Sequence, residues 1–279
     1  MELELKKECL DTYELGEPQT LTQEETAETI VPDYCPDIAR IISAEGVVCL
    51  HGGTEQDGVT GTVRVTVLYT PENESGVRAL EFAMPFSAQG EGLAGCAHVV
   101  VETEIELLES RMLNPRKIFT RCKLVTHLAG CRKVCLTISS DAETDPALLV
   151  EKRCCGQTVS LLRQVAEKDL TFSETMSLSL GREGAAELLH CRANGIVTET
   201  KAIGNKLIFK GVFLVSALYR TIGGQLASAS AELPFSQIME TDSTEENTQV
   251  SMRLRITGTD IQIDGSDDEG RQLSVTVYY

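Results

Sequence analysis

The 279-residue chain carries 42 acidic against 25 basic side chains, a net charge of −17, no tryptophan and 5% aromatic residues. Such a surface repels phosphate and anionic lipid, which excludes nucleic acid as an expected partner. Stacking on bases or glycans also lacks the exposed rings it needs.

The length is a prior of about two domains, each long enough to bury a core unaided. Charge is unevenly shared: residues 1–145 hold 25 acids and 12 bases (25 − 12, so −13), residues 146–279 hold 17 and 13 (−4). The N-terminus has no apolar run resembling a signal peptide, and no stretch reaches the ~18 apolar residues of a membrane span. The expectation is a cytoplasmic protein with no integral membrane segment. Its ten cysteines are then mostly free thiols in a reducing compartment.

In chain order, the first signal is ETIVPDYCPDIARIIS (28–43), where Pro32 and Pro36 fix the chain ahead of DIARIIS (37–43). That heptad reads as a short helix capped by Asp37, with Ile38, Ile41 and Ile42 on one face. GTVRVTVLY (61–69) alternates Val63, Val65 and Val67 with polar residues, and VVVETEIEL (99–107) sets Val101, Thr103, Ile105 and Leu107 against Glu102, Glu104 and Glu106. Both read as half-buried antiparallel strands. LNPRKI (113–118) places Asn114 and Pro115 at a turn, with Arg116 and Lys117 on the strand that leaves it. EGAAELLHC (183–191) reads as a second short helix, and VSMRLRI (250–256) as another alternating strand. Turn residues punctuate the rest, as at Gly52-Gly53, Pro71-Glu72-Asn73, Gly223-Gly224 and Asp264-Gly265.

An internal repeat organises these elements. GTVRVTVLY matches GVFLVSALY (211–219), EFAMPFS (81–87) matches SAELPFS (230–236), and SAEGVV (43–48) matches CRANGIV (191–197) with Gly46 opposite Gly195. LNPRKI has a weaker echo in DEGRQL (268–273), and LKKEC (5–9) in VEKRC (150–154). The expected fold is mainly β: two tandem antiparallel β-sandwich-like units, 1–145 and 146–279, each with one short helix. The acidic DAETDP (141–146) serves as the linker. The second unit ends at SVTVYY, which aligns with RCKL of the first, so it reads as truncated at its C-terminus.

Motifs for chemistry are missing from this framework. There is no GxSxG elbow, phosphate-binding loop or dinucleotide fingerprint. His127, Cys131 and Cys135 are spaced four apart, but LVTHL and KVCLTIS alternate like the two arms of a hairpin around Gly130, which separates the ligands. The acidic run Asp267, Asp268 and Glu269 lacks the EF-hand spacing for calcium. The expectation is no catalytic residue, no metal, no cofactor and no enzyme. Arg116 and Lys117 either sit against carboxylates or contact a partner.

VPDYCPDIARIIS, the GxVxVxVLY strand, MPFS and LNPRKI together resemble the SPOCS-domain family of sporulation proteins, in particular the N-terminal region of SipL- and SpoVID-type spore morphogenetic proteins. The second unit departs from the pattern, with Gly181-Arg182-Glu183-Gly184 in place of the proline lead-in and Arg271-Gln272 in place of Arg-Lys. No LysM domain, which better-known members carry, is found. The resemblance implies a non-enzymatic scaffold or adaptor in spore coat assembly, in the mother cell at the developing forespore surface, with other spore morphogenetic and coat proteins as partners. The candidate interaction or structural motif is Pro32, Asp33, Pro36, Asp37, Asn114, Pro115, Arg116 and Lys117. The alternative is a ligand- or cell-wall-binding β-sandwich module. Exposed strand edges leave self-association open.

Overall fold

The computed structural model of the chain describes residues 4–51, 58–143, 151, 153, 156, 158–178, 183–242, 248–264 and 269–279. The described residues form antiparallel strands and no helix. The strands are β1 (Glu4–Leu15), β2 (Gln19–Ile30), β3 (Ile38–His51), β4 (Gly58–Pro71), β5 (Arg78–Gln89), β6 (His98–Asn114), β7 (Lys117–Glu143), β8 (Thr171–Ser177), β9 (Ala185–Ile203), β10 (Lys206–Thr221), β11 (Leu226–Glu240), β12 (Gly258–Ile263) and β13 (Gln272–Tyr278).

In the first half, β3-β4-β5 faces a sheet in which β7 pairs with β1, β2 and β6. Alternation builds the space between them. Val63, Val65, Val67 and Tyr69 of β4 point inward and meet Ile118, Cys122 and Leu124 of β7. In the second half, β9-β10-β11 faces β12-β13-β8. Phe213, Val215 and Tyr219 there meet Leu273, Val275 and Val277. Each such side chain, fully withdrawn from water, contributes about 1.5–3 kcal/mol of transfer free energy. These are two-layer sandwiches, and both are laid out alike. Gly61 pairs with Phe86 in one, Gly211 with Phe235 in the other.

The two expected helices are strands. DIARIIS opens β3 and EGAAELLHC opens β9. Two β-bulges in each strand explain the misreading: the ladder skips Ala39 and Ile42 in β3, and Ala186 and Leu189 in β9. Each bulge adds one residue to the pleat, so apolar residues recur at intervals of three as well as two, which imitates a helical face. Ile38, Ile41 and Ile42 are also β-branched and suit the extended chain. A further bulge at Glu106 changes the inward set of β6, so that Ile105 and Leu108 pack on the core rather than Ile105 and Leu107. The glycines aligned above are two residues apart in register: Gly46 pairs with Val65, whereas Gly195 pairs with Phe213. A shift of two keeps the same face.

The hairpin expected around Gly130 is absent. β7 runs unbroken from Lys117 to Glu143, and its partners change near Gly130, from β2 and β6 to β1. A side chain at Gly130 would meet the Cys96 Sγ at 2.6 Å, so the glycine serves close packing rather than a turn. His127 and Cys135 therefore lie roughly 26 Å apart along one strand. Residues 250–256 keep their alternation, with Met252, Leu254 and Ile256 against the core, but they join no ladder. Residues 141–143 of the expected linker instead close β7, paired with β1. Its remainder, the expected turns at Gly52-Gly53 and Asp264-Gly265, most of VEKRC, part of the Gly181–Gly184 lead-in, and Asp267 and Asp268 lie wholly or partly outside the described residues.

Candidate interaction site

Val31 ends the β2 ladder by donating its N–H to the Arg116 carbonyl at 2.9 Å. From there the chain turns, Cys35 N–H bonding the Pro32 carbonyl at 2.9 Å, and re-enters a strand where Ile38 N–H bonds the Pro115 carbonyl at 2.9 Å. Both prolines suit this path, since each fixes φ and neither needs an N–H partner. On the facing turn, Asn114 Oδ1 accepts the Arg116 N–H at 2.9 Å. The candidate residues 32–37 and 114–117 thus meet at one end of the first sandwich.

Arg116 holds that end together. Nη1 donates to the Cys35 carbonyl at 2.8 Å and to Asp37 Oδ1 at 3.0 Å; Nη2 donates to the Val31 carbonyl at 2.9 Å and to Asp33 Oδ1 at 3.0 Å. The planar fork of arginine is what allows one side chain to close two backbone carbonyls and two carboxylates. Lys117 pairs with Glu28. The two bases therefore sit against carboxylates. Within the cluster Tyr69 donates its hydroxyl to the Pro36 carbonyl at 3.3 Å. Burial, reinforced by the neighbouring Cys35, pushes its pKa up to about 12.

The same turn displays an apolar group. Tyr34, between Asp33 and Cys35, is 87% exposed; Ile30, opposite Lys117, and Leu113, which the β6 ladder skips next to Asn114, are 72% and 45% exposed. Tyr34, Glu28 and the Val31 and Cys35 carbonyls were not singled out from sequence. Only contacts spanning some 80 residues of chain give them their place.

The second half repeats the frame. Leu178 N–H bonds the Arg271 carbonyl and Ala185 N–H bonds the Gly270 carbonyl, which puts Arg271 where Arg116 stands. Arg271 pairs with Glu269 at 2.9 Å.

Elsewhere the reactive side chains are dispersed. His51, His127 and His190 bond Thr62, Thr20 and Glu45 respectively, while His98 packs on Tyr13. Among the described residues no group of three or more His, Cys, Asp or Glu could hold a metal ion. Cys9 and Cys135 are joined by a disulfide across β1 and β7, Cα–Cα 5.6 Å, which corrects the free-thiol expectation for this pair. Six other cysteines are free, and Cys154 and Cys155 lie outside the described residues. Burial pushes the Cys122 and Cys191 thiols up to about 11, the reverse of an activated nucleophile. No helix among the described residues is long and apolar enough to cross a membrane.

Fold and site together define a duplicated, all-antiparallel β protein whose polar cluster cross-braces a loop. Residues 185–264 match the family described as SipL, SPOCS domain. This stretch, which lies in the second half of the chain, is similar to a SPOCS domain. It matches no curated protein and no solved structure.

Proposed function

We propose that this chain is a non-enzymatic scaffold or adaptor that works by protein–protein contact in assembly of the spore envelope, in the mother cell at the forespore surface. The observation that carries this reading is the SPOCS match over residues 185–264. The dispersal of histidines and thiols supports it, as does a fold whose polar cluster is spent on bracing a loop. We divide the chain into two units, 1–145 and 146–279, in keeping with strand ladders that each stay within one half.

The first unit is the better candidate for partner recognition. Arg116 fixes the 32–37 loop, and that loop presents Tyr34 to solvent. An exposed aromatic on a rigid loop gives contact area at small entropic cost. The test is affinity purification of the tagged chain from sporulating cells. Spore morphogenetic and coat proteins should be enriched with wild type and reduced with Tyr34→Ser. Recovery of metabolic enzymes alone would count against the reading.

A further inference from the structure

The second half touches the first in several places: Tyr13 of β1 bridges Leu162, Arg253 pairs with Glu102 and Arg255 donates to the Val101 carbonyl on β6, and a further contact lies on the β3-β4-β5 sheet. His190 Nε2 lies 3.1 Å from Glu45 Oε2, and the Cys49 thiol donates to the Thr257 carbonyl at 2.6 Å. Gly258 abuts Arg64, and the Glu81 charge bears on Cys191. Glu45, Cys49, Arg64 and Glu81 all lie on the outer face of the β3-β4-β5 sheet, in three adjacent rungs. What covers them is a seam of the second half, where the start of β9 adjoins the start of β12.

Because the halves share one plan, the second half owns the same outer face. Its three matching rungs are Arg192–Ser216–Ser230, Asn194–Leu214–Glu232 and Ile196–Val212–Pro234. Nothing among the described residues covers them. They are also more apolar than their counterparts, with Ile196 in place of Cys49 and Leu214 in place of Arg64. Ile196 is 48% exposed, Leu214 36% and Ile238, two rungs beyond, 52%. Ile196, Val212, Pro234 and Leu214 adjoin one another there, with Ile238 beyond the Lys210–Glu199 pair, and an exposed apolar group of this kind marks a contact surface.

The seam has a counterpart too. By strand register, Ser43 and Ala44 of β3 stand where His190 and Cys191 stand. The charged pair is not kept: the face has Arg192 where the first half has Glu45, and the seam has Ser43 where the second half has His190.

We propose that the outer face of the β9-β10-β11 sheet receives the β3–β6 seam of a second copy of this chain, extending the contact that already joins the two halves. Such a face-to-seam contact is heterologous, so it adds copies head to tail rather than closing a dimer. The overall negative charge opposes it at long range, so moderate salt strengthens the assembly by screening.

Sedimentation velocity of the full chain over a wide concentration range tests this. Wild type should pass beyond a dimer, more so as salt is raised. Ile196→Asp on the face and Ser43→Arg on the seam should each weaken association by about tenfold or more, since each puts a charge into the contact. Mixing the two variants should restore dimers and nothing larger, because each retains one sound surface. Both positions are at least partly exposed, and circular dichroism melts matching wild type show that the fold is kept. A wild type that stays monomeric overturns the proposal. So does an Ile196→Asp chain that assembles like wild type, or a mixture that forms no dimer.

Discussion

Phe86 lies across Gly61, its partner in the β4–β5 ladder, so closely that a Cβ at Gly61 would stand 2.5 Å from the ring. Phe235 covers Gly211 in the same way, at 2.6 Å, and there the Ile196 carbonyl stands at 2.2 Å, closer than the 2.9 Å of the matching Cys49 carbonyl at Gly61. An aromatic ring can give a little, whereas backbone gives less. Gly61→Ala should lower stability by about 1–3 kcal/mol, the usual range for overpacking, and Gly211→Ala by more. Urea unfolding of both variants measures the order, and equal losses would count against the backbone contact.

Arg116 should be intolerant of lysine. An ammonium cannot reach two carbonyls and two carboxylates in one plane, so Arg116→Lys leaves part-buried acceptors without donors. The expected loss is about 1–3 kcal/mol. Asp33, whose side chain is fully exposed, should tolerate asparagine with a melting curve like that of wild type.

The two core tyrosines should differ. Tyr69 donates to the Pro36 carbonyl, while the buried Tyr219 hydroxyl finds no partner among the described residues. Tyr69→Phe should cost about 0.5–1.5 kcal/mol, and Tyr219→Phe little or nothing. Because the folded pKa of Tyr69 is raised to about 12 from an ordinary 10, the folded state holds the proton more tightly. That stabilisation is complete below about pH 10 and is lost as pH climbs toward 12. Alkaline melts of Tyr69→Phe should lack this component.

The cysteines should react in a set order. Cys9 and Cys135 are exposed and, once reduced, should label first with iodoacetamide at pH 8. Cys122, fully buried and with its pKa raised to about 11, should label only on unfolding. Closing the Cys9–Cys135 link, across a separation of 126 residues, should stabilise the oxidised protein by about 2–4 kcal/mol over the Cys9→Ser variant. Peptide mapping without reductant checks the link itself.

Much of this fold is written as alternation, and there the sequence reads well: 61–69 and 211–219 are the central strands of their sheets. β2 is harder to see because Gln23 and Glu25 occupy its inward rungs beside Leu21 and Ala27, so polarity does not mark the face. The starts of β3 and β9 mislead because bulges at Ala39, Ile42, Ala186 and Leu189 break the period of two. Gly130 looks like a turn residue and is a packing residue. At the candidate site both motifs stand out locally, through two prolines and an Asn-Pro turn. Their meeting through Arg116 and Asp37, 79 residues apart, is tertiary and has no local signal.

The central claim is that both halves follow one plan, down to paired bulges in strands that a helical reading would misassign. Backbone NMR of residues 37–43 and 183–191 tests it most directly. The account predicts extended chemical shifts and cross-strand contacts to β4 and β10 that skip Ala39 and Ile42 in one strand, and Ala186 and Leu189 in the other. Helical shifts in either segment, or bulges in only one of them, would contradict it.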